Sequence, residues 1–549
     1  MKFIKGIIIQ TRMNPPERAR RRALCAALAL SLLICVIAAP TAASAAATSS
    51  LEVAMVCAAD MRLLPLEIVD RSPQSLLGLV YESLVYLDDE RNPQPLLAEK
   101  WEAVGGSIWE FTLRSGIMFH DGSELTAQDV VATLNAISAL AQQGIGLYQQ
   151  TVSMLADWEA KSTYVVRVKA RTPSFATLYS MTFPVLPEGS TTVECPPGTG
   201  PYSIDYYQPG SQLLLSVSGT WWQRAPSVRL ITGRWYKTDA DALAAFQIEA
   251  VNVLATRSQQ ATRYRGIIGS TVTSMQYSTR QLELLLFNNS ASKLKDVEMR
   301  RAISHAIDRG RLASSVYQNV VTATDTLAMP GSSLYNSNAP AYYYNPDYAN
   351  RLLDALGYSK RNGEGFRTNE DGTVTLSLRL FYYDEEGSTL RHDAAFLIDN
   401  MLAQVGIDVV ITYYQFENGK AKLEIGDYDM FLCGINFGMV PDPTFLLARN
   451  SETNYTRYRG ESVNSGEDDE QLSQSSQPSI KDLLQQLSNA STQEAFQAVW
   501  MDIQDRMGTD QPMLPLYWRG GMLLMRGVYL SARDIREYET LRTFAESNR

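Results

Sequence analysis

The 549-residue chain has little of what most chemistry requires. Only three histidines occur, His120, His305 and His392. None has a histidine, cysteine or carboxylate at the spacing of an HExxH helix or a comparable metal-ligand motif. A GxSxG nucleophile elbow is missing, as is any CxxC pair. Ser292 and Lys295 stand at a penicillin-binding spacing, but its two companion motifs are absent. Downstream of residue 45 three cysteines remain, Cys57, Cys195 and Cys433. They are far apart and odd in number, so they imply no disulfide framework, and buried free thiols are the expected state. Basic charge is also short: 49 Lys and Arg face 59 Asp and Glu, a formal net charge of −10. A nucleic-acid partner needs a basic footprint, so the balance argues against one. These gaps leave no constellation for an enzyme.

What is present is ordinary globular composition, 45% hydrophobic and 20% charged, with length for two or three domains. The first 45 residues differ. Lys2, Lys5, Arg12, Arg18 and Arg20 to Arg22 are basic, Ala23 to Ala39 is almost wholly apolar, and Ala43-Ser44-Ala45 fits a small-x-small cleavage site. That layout predicts a secretory signal peptide over 1–45, with an uncleaved anchor as the alternative. Ile34 precedes Cys35 where a lipobox needs a small residue, so lipidation is not expected. Removing 1–45 takes away seven basic residues and Glu17, and the formal charge becomes about −16. No later apolar stretch is long enough to span a membrane.

The richest local pattern begins at Leu97-Ala98-Glu99-Lys100-Trp101. Trp109, Phe111 and Leu113 alternate and predict a strand with one apolar face. Phe119-His120-Asp121-Gly122 is a tight turn. Thr126 and Asp129 form a capping box with Asp in place of Glu, and Val130, Leu134 and Ile137 share a helical stripe. Further on, Gly198-Thr199-Gly200-Pro201-Tyr202 predicts a fixed turn, followed by a strand over Ser203 to Tyr207, the turn Pro209-Gly210 and the pair Trp221-Trp222. A new strand starts at Leu284. Asp296 caps a helix with Met299, Ile303, Ala306 and Ile307 on one face. Leu376, Leu378 and Leu380 alternate, a helix with Leu397, Met401 and Val405 on one face follows, Gly406 is its natural C-cap, and Val409 and Ile411 open another strand. Such strand–helix–strand units predict an open α/β sheet. Residues 458–479 read as a solvated loop. Ser491 and Glu494 predict a capping box for an amphipathic helix carrying Phe496, Val499, Trp500, Ile503 and Met507.

In order and spacing these segments resemble the bacterial extracellular solute-binding proteins of family 5, which serve peptide and nickel ABC importers. The likeness includes the Leu97–Val131 run, the Gly198–Tyr202 turn, the helix Arg301-Ala302-Ile303 to Ala306-Ile307-Asp308-Arg309, Tyr344-Asn345-Pro346-Asp347, and Pro512 to Trp518. It runs from about Gly78 to Trp518. It implies an α/β, two-lobed periplasmic-binding-protein-like fold of type II, in its large cluster C form, with a hinge and an extra subdomain in lobe 1. The expected division is lobe 1 at 46–275 with a subdomain at about 75–180, lobe 2 at 276–480, and a return to lobe 1 at 481–549. Within the family the helix ending at Asp308 and Arg309 is structural, so those two receive no ligand role.

A solute that carries charges must have them paired when it is enclosed. The resemblance implies an amine-pairing aspartate four residues before the proline of an Asp-Pro. Here Pro443 closes Asn436-Phe437-Gly438-Met439-Val440-Pro441-Asp442, and Met439 stands at that place. Methionine cannot pair with an ammonium. Either the solute lacks a free amine, or Asp442 or another carboxylate takes the role. The other candidates carried over by position are Asp70 and Arg71, Tyr148, Phe416, Asn436 and Phe437. As alternatives, Asp70 and Arg71 are a solvated pair, Tyr148 a surface aromatic, and Phe416 a packing residue. The expected function is capture of a peptide or peptide-like solute by hinge closure and delivery to an ABC permease in the cytoplasmic membrane. The protein is expected to be secreted, monomeric, not an enzyme, and without cofactor, metal or nucleic acid. The alternatives are a ligand sensor of the same fold, or a binder of a sugar or metal chelate.

Overall fold

The computed structural model describes residues 50–267, 270–385, 388–460, 478–528, 535–542 and 544. Residues 1–45, expected above to be a signal peptide, and residues 461–477, expected to be a solvated loop, lie outside them. The architecture is mixed α/β and two-lobed, organised by one large sheet. Its strands run in the order Asp408–Tyr414, Ser377–Tyr383, Met430–Asn436, Val272–Phe287, Met513–Arg526, Val253–Thr256, Ser50–Val56, Leu230–Tyr236, Gln212–Val217 and Tyr202–Gln208. Val321–Ala323 pairs with Met513–Arg526 off this path.

Two of these strands are much longer than the rest. Val272–Phe287 and Met513–Arg526 are antiparallel and pass through the middle of the sheet. Their register shifts between Ser278 and Leu282, so Thr279, Arg280 and Gln281 sit in a break of the ladder. On one side the neighbours are the parallel strands predicted from the α/β pattern. There Leu376, Leu378 and Leu380 are fully buried beneath the helix Leu390–Gln404. That helix buries Met401 and Val405 as predicted and Ile398 beside them, and leaves Leu397 half-buried at the margin of the stripe. Gly406 follows it at φ +88°, a left-handed position that suits glycine.

A separate antiparallel sheet contains Ala98–Gly105, Ile108–Leu113, Val165–Ala170 and Leu155–Ser162. Trp109, Phe111 and Leu113 are buried as their alternation predicts. The capping box forms: the Asp129 carboxylate accepts from the Thr126 N–H at 2.7 Å and the Thr126 hydroxyl at 2.8 Å. Asp296 likewise accepts from the Glu298 N–H at 2.8 Å. The cap of Gln493–Asp510 is a correction. Thr492, in extended conformation, accepts from the Ala495 N–H at 3.2 Å, so the cap is one residue later than Ser491. Phe496, Val499, Trp500, Ile503 and Met507 are buried on that helix.

The Gly198–Tyr202 turn is held by close backbone approach. The His120 N–H donates to the Gly198 carbonyl at 2.8 Å, the Gly198 N–H donates to His120 Nδ1 at 3.3 Å, and Nε2 stands 2.9 Å from the Gly200 carbonyl. These partners fix a neutral imidazole with its proton on Nε2. Burial lowers its pKa, against a smaller opposing effect of the Gly200 carbonyl. A Cβ on Gly198 would stand 2.0 Å from the Val80 carbonyl oxygen. Gly198→Ala is therefore expected to destabilise the protein by about 3 kcal/mol through overpacking against backbone; a urea midpoint equal to the wild type would contradict this.

Candidate functional site

The break in the two crossing strands opens onto a cleft of about 940 Å³. Its walls come from the loop before the helix Arg71–Leu77, the end of Leu230–Tyr236, the end of Val253–Thr256, the broken strand itself, the turn after Met430–Asn436, and the segment Glu537 to Thr540. Asp70, Arg71, Asn436 and Phe437, scattered along the sequence, all line it.

The electrostatics are arranged around one buried carboxylate. Glu537 is 5% exposed. Arg257 Nε donates to it at 2.7 Å and Arg71 Nη1 at 3.1 Å. Arg71 also lies 4.0 Å from Asp239. Burial pulls the Arg71 pKa down, but Glu537, Tyr277 and Asp239 outweigh it and the net shift is upward. Arg257 Nη1 donates onward to Gln281 Oε1 at 3.0 Å. Asp70 is different. Among the described residues no ion pair within 4.0 Å holds it, and burial raises its pKa, only partly offset by the positive charge of Arg71.

Two smaller cavities adjoin the cleft. One of about 160 Å³ is lined by Tyr148, Met439, Tyr538, Glu539 and Arg542. The other, about 140 Å³, is apolar and includes Phe437, Met439, Trp500 and Trp518. Tyr148 is 8% exposed, so it is a buried wall residue and not a surface aromatic. Met439 lines both smaller cavities and not the cleft itself, and its sulfur accepts from Arg280. The Arg280 guanidinium lies 4.4 Å from the centre of the Tyr538 ring. A cation therefore occupies the surroundings in which the resemblance implied an anion. Gly438 allows this turn to approach Gln150, whose Oε1 would stand 1.7 Å from an added Cβ and accepts from the Val440 N–H at 3.3 Å.

Two candidates fall outside these cavities. Asp442 accepts from the Thr444 N–H at 2.9 Å at the start of a short helix. Phe416 is 53% exposed and packs edge-on against Tyr383 with ring centres 5.1 Å apart. Sequence reasoning missed Arg257, Arg280, Glu537 and Tyr538. The polar run Thr279-Arg280-Gln281 inside an otherwise strand-like stretch was a usable signal for Arg280. Nothing local marks Glu537 and Tyr538, which arrive from the far end of the chain.

Directly behind the break lies an ionic quartet in which Glu283 and Arg391 are buried and Arg519 and Glu385 are partly exposed. Arg391 Nη2 is 3.0 Å from both Glu283 and Glu385, and Arg519 is 2.8 Å from Glu283 and 2.7 Å from Glu385. Burial pushes the Glu283 carboxyl up, but Arg391 and Arg519 overcome it and hold the pKa below the ordinary value. Gln281 Nε2 donates to Glu283 at 3.0 Å, so the quartet and the cleft share a hydrogen-bonded residue. The histidines take no part: His305 Nδ1 is 2.8 Å from the Tyr343 carbonyl and His392 Nδ1 is 2.6 Å from the Tyr382 hydroxyl. Among the described residues no group of three or more His, Cys, Asp or Glu could hold a metal, and no helix is long and apolar enough to cross a membrane.

Comparison with known proteins agrees with this architecture. The profile described as "Bacterial extracellular solute-binding proteins, family 5 Middle" matches residues 92–457. The oligopeptide-binding protein AppA of Bacillus subtilis is 22% identical over 486 residues, covering 83% of this chain and 84% of that one. The nickel-binding periplasmic protein of Escherichia coli is 19% identical over 472 residues, covering 82% and 85%. A nickel ABC transporter structure from Bacillus halodurans superposes with a TM-score of 0.73 at 17% identity, covering 90% of this chain and 98% of that one. The chain belongs to family 5 of the bacterial extracellular solute-binding proteins, the extracytoplasmic class that supplies substrates to ABC importers.

The quartet generates a test. Arg391→Met would leave Glu283 buried with one guanidinium lost, at a cost of about 3–5 kcal/mol. A carboxyl with a lowered folded pKa contributes stability above its unfolded value of about 4.3, which is lost as pH falls through the folded pKa. Losing Arg391 raises the folded pKa of Glu283 and so shrinks its acid-side loss; urea unfolding from pH 7 to pH 3 should show the stability gap between wild type and Arg391→Met narrowing as pH falls. Identical profiles would contradict the role assigned to the pair.

Proposed function

We propose that the chain captures a peptide-like solute between its two lobes, by closure about the crossing strands, and presents the closed form to an ABC permease. The division proposed is lobe 1 at 46–275 and 481–549, with a subdomain at about 75–180, and lobe 2 at 276–480. Residues 1–45 are its export signal. The protein binds and releases its solute without chemical change.

The observation that carries the reading is the cleft at the ladder break. Its volume of about 940 Å³ is at the upper end of small-ligand sites, which suits a short peptide. The relatives named above support the class of solute by their own names, oligopeptide for one and nickel for another. A carboxylate that desolvation has already made costly in its charged form is suited to meet a ligand cation. That residue here is Asp70, lining the cleft without an ion pair, and it takes the amine-pairing role for which Asp442 is occupied and Met439 unsuited.

A ligand at 100 times its Kd stabilises by about 2.7 kcal/mol, so melting reports binding. Pools of di- to pentapeptides are expected to raise the melting temperature by a few degrees, acetylation of their N-termini to reduce the shift, and Asp70→Asn to abolish the difference between the two pools. Because the raised pKa makes ionised Asp70 a cost near pH 7, Asp70→Asn without ligand should melt no lower than wild type. Equal shifts for free and acetylated peptides would instead mean that no amine is recognised. No response to either pool would overturn the peptide reading.

A further inference from the structure

Arg280 is a cation that the fold supplies with no anion. It stands in the ladder break, where its carbonyl accepts from the Phe437 N–H at 2.9 Å, and its half-buried side chain lines the cleft. A guanidinium carries several N–H donors and no acceptor. Among the described residues, the partners of this one are the Met439 sulfur and the face of the Tyr538 ring, whose centre is 4.4 Å away. Neither partner is charged. The carboxylates nearby are engaged elsewhere. Glu537 is held by Arg71 at 3.1 Å and by Arg257 at 2.6 Å. Glu539 is held by Arg536 at 3.6 Å and by Arg542 at 3.4 Å. Burial raises the Glu539 pKa, Arg542 and Arg536 outweigh it, and Arg280 adds a smaller lowering from beyond ion-pair distance.

Four cations line the cleft: Arg71, Lys237, Arg257 and Arg280. Arg71 and Arg257 share Glu537. Lys237 is exposed, and water solvates an exposed ammonium so well that a partner adds little. Arg280 differs because it also lines the apolar cavity of about 140 Å³, among Leu327, Met329, Leu334 and Trp500. Attraction to an anion grows as the effective dielectric falls, so a half-buried guanidinium gains more from one than a solvated ammonium does. The planar fork of an arginine also matches a carboxylate in bidentate geometry. Asp70 lines the same cleft without an ion pair, so the wall offers an unmatched anion and an unmatched half-buried cation.

We propose that Arg280 is the anion-recognising residue of the cleft and that the solute carries a carboxylate which pairs with it, in addition to the amine met by Asp70. The solute is then zwitterionic. A carboxylate in the plane of the guanidinium leaves its face on Tyr538 and displaces only a thioether, a weak acceptor. The inference rests on the reading of the cleft as the solute site and goes further by assigning the second charge of the solute.

The test uses the full chain and three pools of di- to pentapeptides, all with free N-termini. The first lacks Asp and Glu and has free C-termini. The second is the same pool amidated, and so holds no carboxylate. The third is amidated but carries one Asp or Glu in each peptide. Titrations followed by melting temperature should show wild type binding the second pool about ten-fold more weakly than the first or the third, the scale of a hydrogen bond to a charged group. Tight binding of the first pool assigns a terminal carboxylate, and of the third a side-chain one. In Arg280→Gln every pool should fall to the level of the second, and Arg280→Lys should recover part of the difference. Met439→Glu makes the same test with the guanidinium in place, because its carboxylate would meet Arg280 where the sulfur now does; it too should level the pools. Melting without ligand reports whether each variant is folded. Equal binding of all three pools by wild type overturns the inference and leaves the solute site standing. Differences that persist in Arg280→Gln and Met439→Glu, or that vanish in Lys237→Gln, overturn the role of Arg280. If wild type binds none of the pools, the function on which the inference rests falls with it.

Discussion

The structure depends on how two strands are held where their ladder fails. Val272–Phe287 and Met513–Arg526 carry the sheet from one side to the other, and the register slips between Ser278 and Leu282. A slip in an open sheet would leave register weakly specified. The quartet of Glu283, Arg519, Arg391 and Glu385 specifies it, because Glu283 belongs to one strand and Arg519 to the other while Arg391 and Glu385 join them to the neighbouring helix and loop. Two carboxylates each bridged by two guanidiniums leave no buried charge uncompensated. A well-packed apolar cluster at that place could match its stability. It would not define which residue of one strand faces which residue of the other.

The quartet is also one end of a longer polar chain. From Glu283 hydrogen bonds lead through Gln281 to Arg257, and ion pairs continue to Glu537, Arg71 and Asp239. The chain starts behind the strand break and ends on the far wall of the cleft. Glu537 is thus two residues away from the ionic contacts that fix the crossing. The wall of the cleft and the crossing of the strands share one set of side chains, so a change at either end is felt at the other.

The fold was largely legible from local pattern, since each element depends on near neighbours in sequence. The Trp109-Phe111-Leu113 alternation, the Thr126–Asp129 box and the buried leucines of Ser377–Tyr383 each report a face or a cap that two to four residues determine. The reading slipped by one residue at the Thr492 cap, within the ambiguity of adjacent capping residues, and by more at the crossing strand, which begins at Val272 and not at Leu284 because its polar stretch breaks the apolar pattern. The site was legible in part. Asp70, Arg71, Asn436 and Phe437 could be carried over by position, because the segments that present them lie beside recognisable motifs. Arg257, Glu537 and Tyr538 could not, because their meaning comes from pairings 280 residues apart, as between Arg257 and Glu537. Met439 shows the limit most plainly. The sequence says what charge is missing there, and only the fold says that Arg280 stands beside it.

Pairings between distant parts of the chain bear on when the cleft can be completed. Arg71 and Glu537 are 466 residues apart in sequence. In synthesis from the N-terminus, Arg71 emerges long before its carboxylate partner. Contacts of such separation carry a high loop-closure cost before they reward it. The wall that holds Glu537 is therefore among the last parts of the molecule able to set.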